Sequence, residues 1–152
     1  MDMDDRGDDA IRLVVSFPKK MSLCMRGYAD KYLKDTRLKP PYLLLIFHVG
    51  RRDGISQKEL IDEVPYDKSY ISTLVHDLID LGLVYNDSSG KLHSLHLTDQ
   101  GRDIYAMSRM MFELLDRNLF DVLTDEEKDN LAIIMRKLDD RANKIMSDLS
   151  KG

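Results

Sequence analysis

The chain lacks most of what marks a secreted, membrane-bound or catalytic protein. One cysteine, Cys24, excludes an internal disulfide framework. No apolar run approaches the ~20 residues that a membrane-spanning helix needs. The first residues carry Asp2, Asp4, Asp5, Asp8 and Asp9 rather than basic residues followed by apolar ones, so neither secretion nor membrane insertion is expected, and the cytoplasm is the expected location. Glycine-rich phosphate loops, an HExxH pair and a nucleophile elbow are all missing, which argues against an enzyme, and no cofactor is expected. His93 and His96 have a ligand-like spacing, but on a strand an odd separation sends two side chains to opposite faces. His48 stands alone on an apolar segment. No metal site is expected from either.

Excess positive charge is missing as well, with 23 Lys and Arg against 27 Asp and Glu and a net charge of -4. The 152 residues suffice for one domain with a real core, and 43% hydrophobic with 33% charged residues is ordinary for a globular chain.

What is present concentrates between Ile55 and Leu97. Ser56-Gln57-Lys58-Glu59 has the form of a capping box, and Leu60, Ile61 and Val64 supply an apolar stripe behind it, predicting a short helix from about Gln57 to Val64. Pro65-Tyr66-Asp67 stops that helix, and Asp67 is suited to cap a second one starting near Lys68. There Ile71, Leu74, Val75, Leu78 and Ile79 recur at helical spacing, while Ser69, Ser72, Thr73, His76 and Asp80 recur on the opposite side. Gly82 closes it. Two short runs follow, Leu83-Val84-Tyr85 and Leu92 to Leu97, joined by the polar Asn86-Asp87-Ser88-Ser89-Gly90-Lys91, and read as a β-hairpin with His93, Leu95 and Leu97 on one side and Leu92, Ser94 and His96 on the other. Two short helices followed at once by a hairpin are a winged helix-turn-helix, whose first candidate partner is nucleic acid.

The run Ile71-Ser72-Thr73-Leu74-Val75-His76-Asp77-Leu78-Ile79-Asp80-Leu81-Gly82-Leu83-Val84, a polar loop, then Leu97-Thr98-Asp99-Gln100-Gly101, resembles the core signature of the MarR family of dimeric transcriptional regulators. Its flanks fit: a long first helix, Leu38-Lys39-Pro40-Pro41-Tyr42 opening a second, and two long helices after the hairpin. The resemblance covers nearly the whole chain and rests on the order and spacing of these motifs together. It implies a mainly α fold with a small β-hairpin: one domain over 1–152, with a winged lobe at 42–101 and dimerisation helices at 10–37 and 102–150.

Outside the winged segment the chain reads as helical. Val14, Phe17, Met21, Cys24, Met25, Tyr28 and Tyr32 form one stripe, with Pro18 tolerable near a helix start or at a kink. Thr98 can cap a helix bearing Ile104, Met107, Met111, Leu114, Leu115 and Leu119. Thr124-Asp125-Glu126-Glu127 opens a last helix bearing Leu131, Ile134, Leu138, Ile145 and Leu149. Helices this long must bury their stripes against something, either as a monomeric helical subdomain or in the two-fold homodimer that the resemblance implies.

In such a dimer two recognition helices roughly 34 Å apart enter successive major grooves of double-stranded DNA, and the preferred site is an approximate palindrome. Lys68, Ser69, Tyr70, Ser72, Thr73 and His76 are the candidate contacts on the recognition helix, with Ser56 and Gln57 at the preceding helix start and Ser89 and Lys91 in the wing. Charge opposes this. Between Gly50 and Gly101, Arg51, Arg52, Lys58, Lys68 and Lys91 face nine acids, and phosphate neutralisation supplies most non-specific affinity. The family pattern carries arginines where this chain has Thr73 or Asp77, and Asp-x-Arg where it has Ser89-Gly90-Lys91. Two readings follow: a salt-sensitive repressor, or a winged dimer used as a protein-interaction module with little DNA affinity.

The resemblance also implies that a small aromatic or phenolic effector binds between the dimerisation helices and the winged lobe. Candidate linings are Met25, Tyr28, Tyr42, His48 and Met107, with Arg26 for a carboxylate; these residues fit an ordinary core equally. Some relatives sense peroxide through a first-helix cysteine. Measured back from Pro40-Pro41, however, Cys24 lies several residues later, and within an apolar stripe it is expected to be buried.

Overall fold

A computed structural model describes residues 5–88 and 93–152. Six helices and one hairpin follow in chain order: α1 (Asp5–Leu33), α2 (Pro40–Arg51), α3 (Gln57–Glu63), α4 (Lys68–Asp80), β1 (Val84–Asp87), β2 (Ser94–Leu97), α5 (Asp99–Phe120) and α6 (Asp125–Ser150). The chain divides inside α5 into two compact units, Met1–Leu115 and Asp116–Gly152.

Helix α2 organises the first unit. It starts on Pro40 and Pro41, where a missing N–H leaves no bond unmade. It then buries Tyr42 through Ile46 and Val49 on more than one side. Most of these side chains join Leu60, Ile71, Leu74, Leu78, Val84 and Leu95 in the core of the winged lobe. Leu43 faces the other way, into a second cluster with Ala29 and Leu33 of α1 and Met111 of α5. Each fully buried leucine or isoleucine here contributes about 1.5–3 kcal/mol through removal from water, so α2 ties the winged lobe to α1 and the first part of α5.

The local signals act where the sequence puts them. Ser56 accepts from the Glu59 N–H at 3.0 Å while the Glu59 carboxylate accepts from the Ser56 N–H at 3.2 Å. Asp67 caps α4 by accepting from the Tyr70 N–H at 2.8 Å. At the far end of α4, Gly82 takes a left-handed φ of 73°, and the N–H groups of Gly82 and Leu83 donate to Ile79 and Leu78 carbonyls, each at 3.0 Å. That pair of bonds is a Schellman closure. Leu83 is therefore a splice and not the first strand residue; its carbonyl accepts from the Thr98 N–H at 3.1 Å. The strands pair antiparallel from Val84 with Leu97 to Asp87 with Ser94. Asn86 and Asp87, expected in the turn, thus belong to β1, and Ile55 adds a single bridge to Leu95. Thr98 caps α5 by accepting from the Gly101 N–H.

Three expectations change. Ile79 is exposed, because it lies past Val75 on the flank of α4 and off the line of Ile71, Leu74 and Leu78. Cys24 is exposed within the chain, and so are Val14 and Phe17; only the later part of the α1 stripe, from Met21 through Met25, Tyr28 and Tyr32, is half-buried. Helix α1 runs through Pro18 well inside its length, which leaves the Val14 carbonyl without its usual donor, and it ends at Leu33 before a turn in which Asp35 adopts a φ of 68°.

In the second unit, α6 opens on the Thr124 and Glu127 capping box, with bonds of 3.0 and 3.1 Å. It buries none of its residues within the chain.

Candidate nucleic-acid interface

Helix α4 presents one sealed and one open face. Ile71, Leu74, Val75 and Leu78 are buried, while Lys68, Ser69, Tyr70, Ser72, Thr73 and His76 are exposed. The Thr73 hydroxyl donates to the Ser69 carbonyl one turn back at 3.2 Å. Tyr70 meets the Tyr66 ring edge-on with centroids 5.2 Å apart. Burial first, then the nearby Tyr70, push the Tyr66 hydroxyl up, with Arg26 pulling weakly the other way. Ser56 and Gln57 are half-buried at the start of α3, and the Ser56 hydroxyl already serves as a cap. Ser89 and Lys91, the candidate wing contacts, lie outside the described residues.

Four of the nine acids between Gly50 and Gly101 are built into the framework of this lobe. Glu59 completes the capping box and pairs with Arg52; its hydrogen bonds to Ser56, then the Arg52 guanidinium, hold its carboxyl below the usual carboxylate value. Asp67 caps α4. Asp77, half-buried, accepts from the Tyr42 hydroxyl at 2.9 Å across the α2–α4 seam. Asp53 lies 2.7 Å from His96 Nδ1, whose Nε2 lies 2.9 Å from the Ser94 hydroxyl, and the Tyr85 ring stacks on the imidazole. His96 thereby pins the base of the hairpin to the α2–α3 connection, while His93 is exposed before β2. Lys58 and Lys68 have no ion-pair partner among the described residues. The Arg51 guanidinium lies 5.6 Å from the Phe47 ring centroid. No group of three or more potential metal ligands occurs among the described residues.

Most of the effector candidates border one internal seam of the first unit. Met25 packs on the core that contains Tyr42, Tyr28 and Met107 pack on the second cluster, and Leu38, Ile104 and Phe112 touch both. Tyr42 is buried, and burial together with the Asp77 carboxylate raises its hydroxyl to about 12. His48 sits apart from the seam, its Nδ1 3.9 Å from Glu63; burial lowers its pKa, offset in part by that carboxylate. Arg26 is exposed.

The Tyr42–Asp77 and Asp53–His96 ties are the residues that sequence reading missed. Their partners stand 35 and 43 positions apart in sequence, beyond the reach of any local signal.

The MarR family model matches residues 38–90, from the approach to α2 through β1. A curated relative, the HTH-type transcriptional regulator BilQ of Clostridium symbiosum (strain WAL-14163), is 26% identical over 99 residues, covering 63% of this chain and 69% of that protein. A MarR-family transcriptional regulator from Listeria monocytogenes, solved with a 26mer DNA, superposes with a TM-score of 0.78 at 17% identity, over 91% of this chain and 94% of that one. A MarR/EmrR-family regulator from Acinetobacter sp. ADP1 gives a TM-score of 0.77 at 18% identity, over 90% and 96%. At these identities the two solved structures speak to the fold. No helix among the described residues is long and apolar enough to cross a membrane.

Proposed function

We propose that the chain is a transcriptional regulator of the MarR family and that it acts in the cytoplasm as a homodimer on a pseudo-palindromic DNA operator. The observation that carries this reading is the open face of α4. Its hydroxyl and imidazole groups are exposed in a row, while the opposite face is locked into the core and both helix ends are capped. Such a face offers donors and acceptors to base edges and phosphates, and the capped ends give it a fixed direction. The DNA held by the Listeria relative supports the same partner for this chain.

Dimerisation is supported by apolar side chains that one chain leaves in water. Ile11, Leu13, Val14, Val15 and Phe17 of α1 are exposed, and so are Ile133, Ile134, Leu138, Ile145 and Leu149 of α6, Leu149 by 74%. Apolar exposure on that scale marks an interaction surface. A second copy related by a two-fold axis covers both helices and sets the two α4 helices roughly 34 Å apart, one helical turn of DNA. A small aromatic or phenolic effector is proposed for the seam beside Met25, Tyr28, Tyr42 and Met107. It releases DNA only to the extent that it binds one spacing of the recognition helices more tightly than the other.

A second reading, a winged dimer devoted to protein contacts, is favoured by the five basic against nine acidic residues between Gly50 and Gly101. Gel shifts against fragments of the host genome at low and at physiological salt separate the two, with light scattering for the oligomeric state. The regulator reading expects a dimer and a preferred fragment whose affinity falls steeply with salt. A monomer in dilute solution, or no preferred fragment at either salt, refutes it.

A further inference from the structure

Helix α4 carries two acids, Asp80 exposed at its C-terminal end and Asp77 one turn nearer the N-terminal half that a recognition helix turns to the bases. Asp77 follows Tyr70 by seven residues and Thr73 by four, so it lies on the same strip of α4 as they do. A carboxylate standing out from that strip meets the phosphates. Yet Asp77 is half-buried and turned into the seam, where its Oδ2 accepts the Tyr42 hydroxyl at 2.9 Å. Tyr42 comes from the buried middle of the lobe and is 5% exposed, so its ring is fixed by packing on α2. Its hydroxyl, raised to about 12, stays protonated at any pH at which a cytoplasmic regulator works and always has a proton to donate.

We propose that Tyr42 is a positioning residue for DNA binding: its hydroxyl holds the Asp77 carboxylate in the α2–α4 seam, off the strip of the recognition helix that faces phosphate. This assignment rests on the DNA reading above. It explains how a lobe with more acids than bases can present a recognition helix whose exposed charges are only Lys68 and Asp80, one of each sign. Without the hydroxyl, Asp77 is a half-buried carboxylate with no other donor among the described residues, and solvent on the DNA side is its nearest source of hydrogen bonds. A unit charge brought within ~4 Å of a phosphate in water weakens binding about fivefold, and added salt screens the effect.

The test uses the full chain and a duplex selected by it from a randomised pool, with Kd read by fluorescence anisotropy at about 50 and about 200 mM salt. Tyr42→Phe is expected to bind about fivefold more weakly at the lower salt, with the difference shrinking at the higher. Adding Asp77→Asn to Tyr42→Phe returns the affinity to the parent level, and Asp77→Asn alone binds at least as tightly as the parent. Unchanged affinity of Tyr42→Phe at both salts overturns the assignment; so does a loss that is equal at both salts and not rescued by Asp77→Asn, which marks a purely structural tyrosine. Should circular dichroism show Tyr42→Phe unfolded, Asp77→Glu replaces it. The longer side chain overshoots the seam and is expected to weaken low-salt binding, and parent-like affinity refutes the idea. Failure of the parent chain to select any duplex overturns the DNA reading together with this one, whereas selection without the Tyr42 effect overturns this one alone.

Discussion

Gly101 offers the sharpest test of how the hairpin is joined to α5. It is buried in the first turn of that helix, and a Cβ placed there would collide with the Leu83 carbonyl oxygen and come within 3.4 Å of the Leu97 side chain. That oxygen belongs to the splice after α4 and already accepts the Thr98 N–H at 3.1 Å, so no flexible side-chain tip is available to give way. Two effects compete in Gly101→Ala. Better helix propensity favours alanine by at most ~1 kcal/mol. Overpacking against backbone costs ~1–3 kcal/mol, and a lost Thr98–Leu83 bond adds ~1 kcal/mol. The clash wins, for a net loss of about 1–3 kcal/mol and a fall in Tm of roughly 2–4 °C per kcal/mol for a chain of this size. Differential scanning calorimetry at fixed protein concentration measures it, since the proposed dimer would melt in a concentration-dependent way. Gly27, which within the chain meets nothing inside 4 Å, is the control. There, alanine is expected to be neutral or stabilising by ~0.5–1 kcal/mol. A Gly101→Ala protein as stable as the parent refutes the packing of α5 against the splice.

Gly82→Ala forces a Cβ into a left-handed conformation and should lower stability by ~1–2 kcal/mol in urea titration, where an unchanged midpoint argues against the Schellman closure. The pH dependence is set on the acid side by two kinds of group. Glu59 and Glu127 have folded pKa values below their usual 4.5, so their contribution is present above that pH and lost as pH falls through the lower folded values. Burial lowers the His48 pKa below its usual 6.5, offset in part by Glu63, so the unfolded chain takes up its proton first, and stability declines as pH drops below 6.5. His48→Gln should flatten the decline just below pH 6.5, and an unchanged profile from pH 7 to 5 removes His48 as its cause. Leu138→Glu in α6 is expected to yield a monomer in light scattering and to abolish binding to the selected duplex; a dimer of wild-type affinity counts against the α6 interface. Replacing single thymines of that duplex by uracil is expected to weaken binding about fourfold where the Thr73 methyl meets the thymine methyl, by the usual worth of one buried methylene. The Thr73 hydroxyl is spent on Ser69, which leaves the methyl for the base. A uniform response in Thr73→Ser and the parent refutes that contact.

Chain order and chemistry alone determined the winged lobe. Asp67 and Gly82 bracket α4, and the Ser56–Glu59 and Thr124–Glu127 boxes mark where α3 and α6 begin. These signals operate within four or five residues, over which hydrogen bonding and φ preference are properties of the local chain. Periodicity was weaker where burial depends on what a helix packs against. Ile79 keeps the spacing of its neighbours but falls on the flank of α4, and Cys24 shares a stripe whose first half is exposed. Only the tertiary structure decided that the Asp77 carboxylate turns inward to Tyr42 and that His96 anchors the hairpin to Asp53. Those pairs lie far apart in sequence, and whether an acid stands out from α4 or braces it depends on which donor the fold brings beside it.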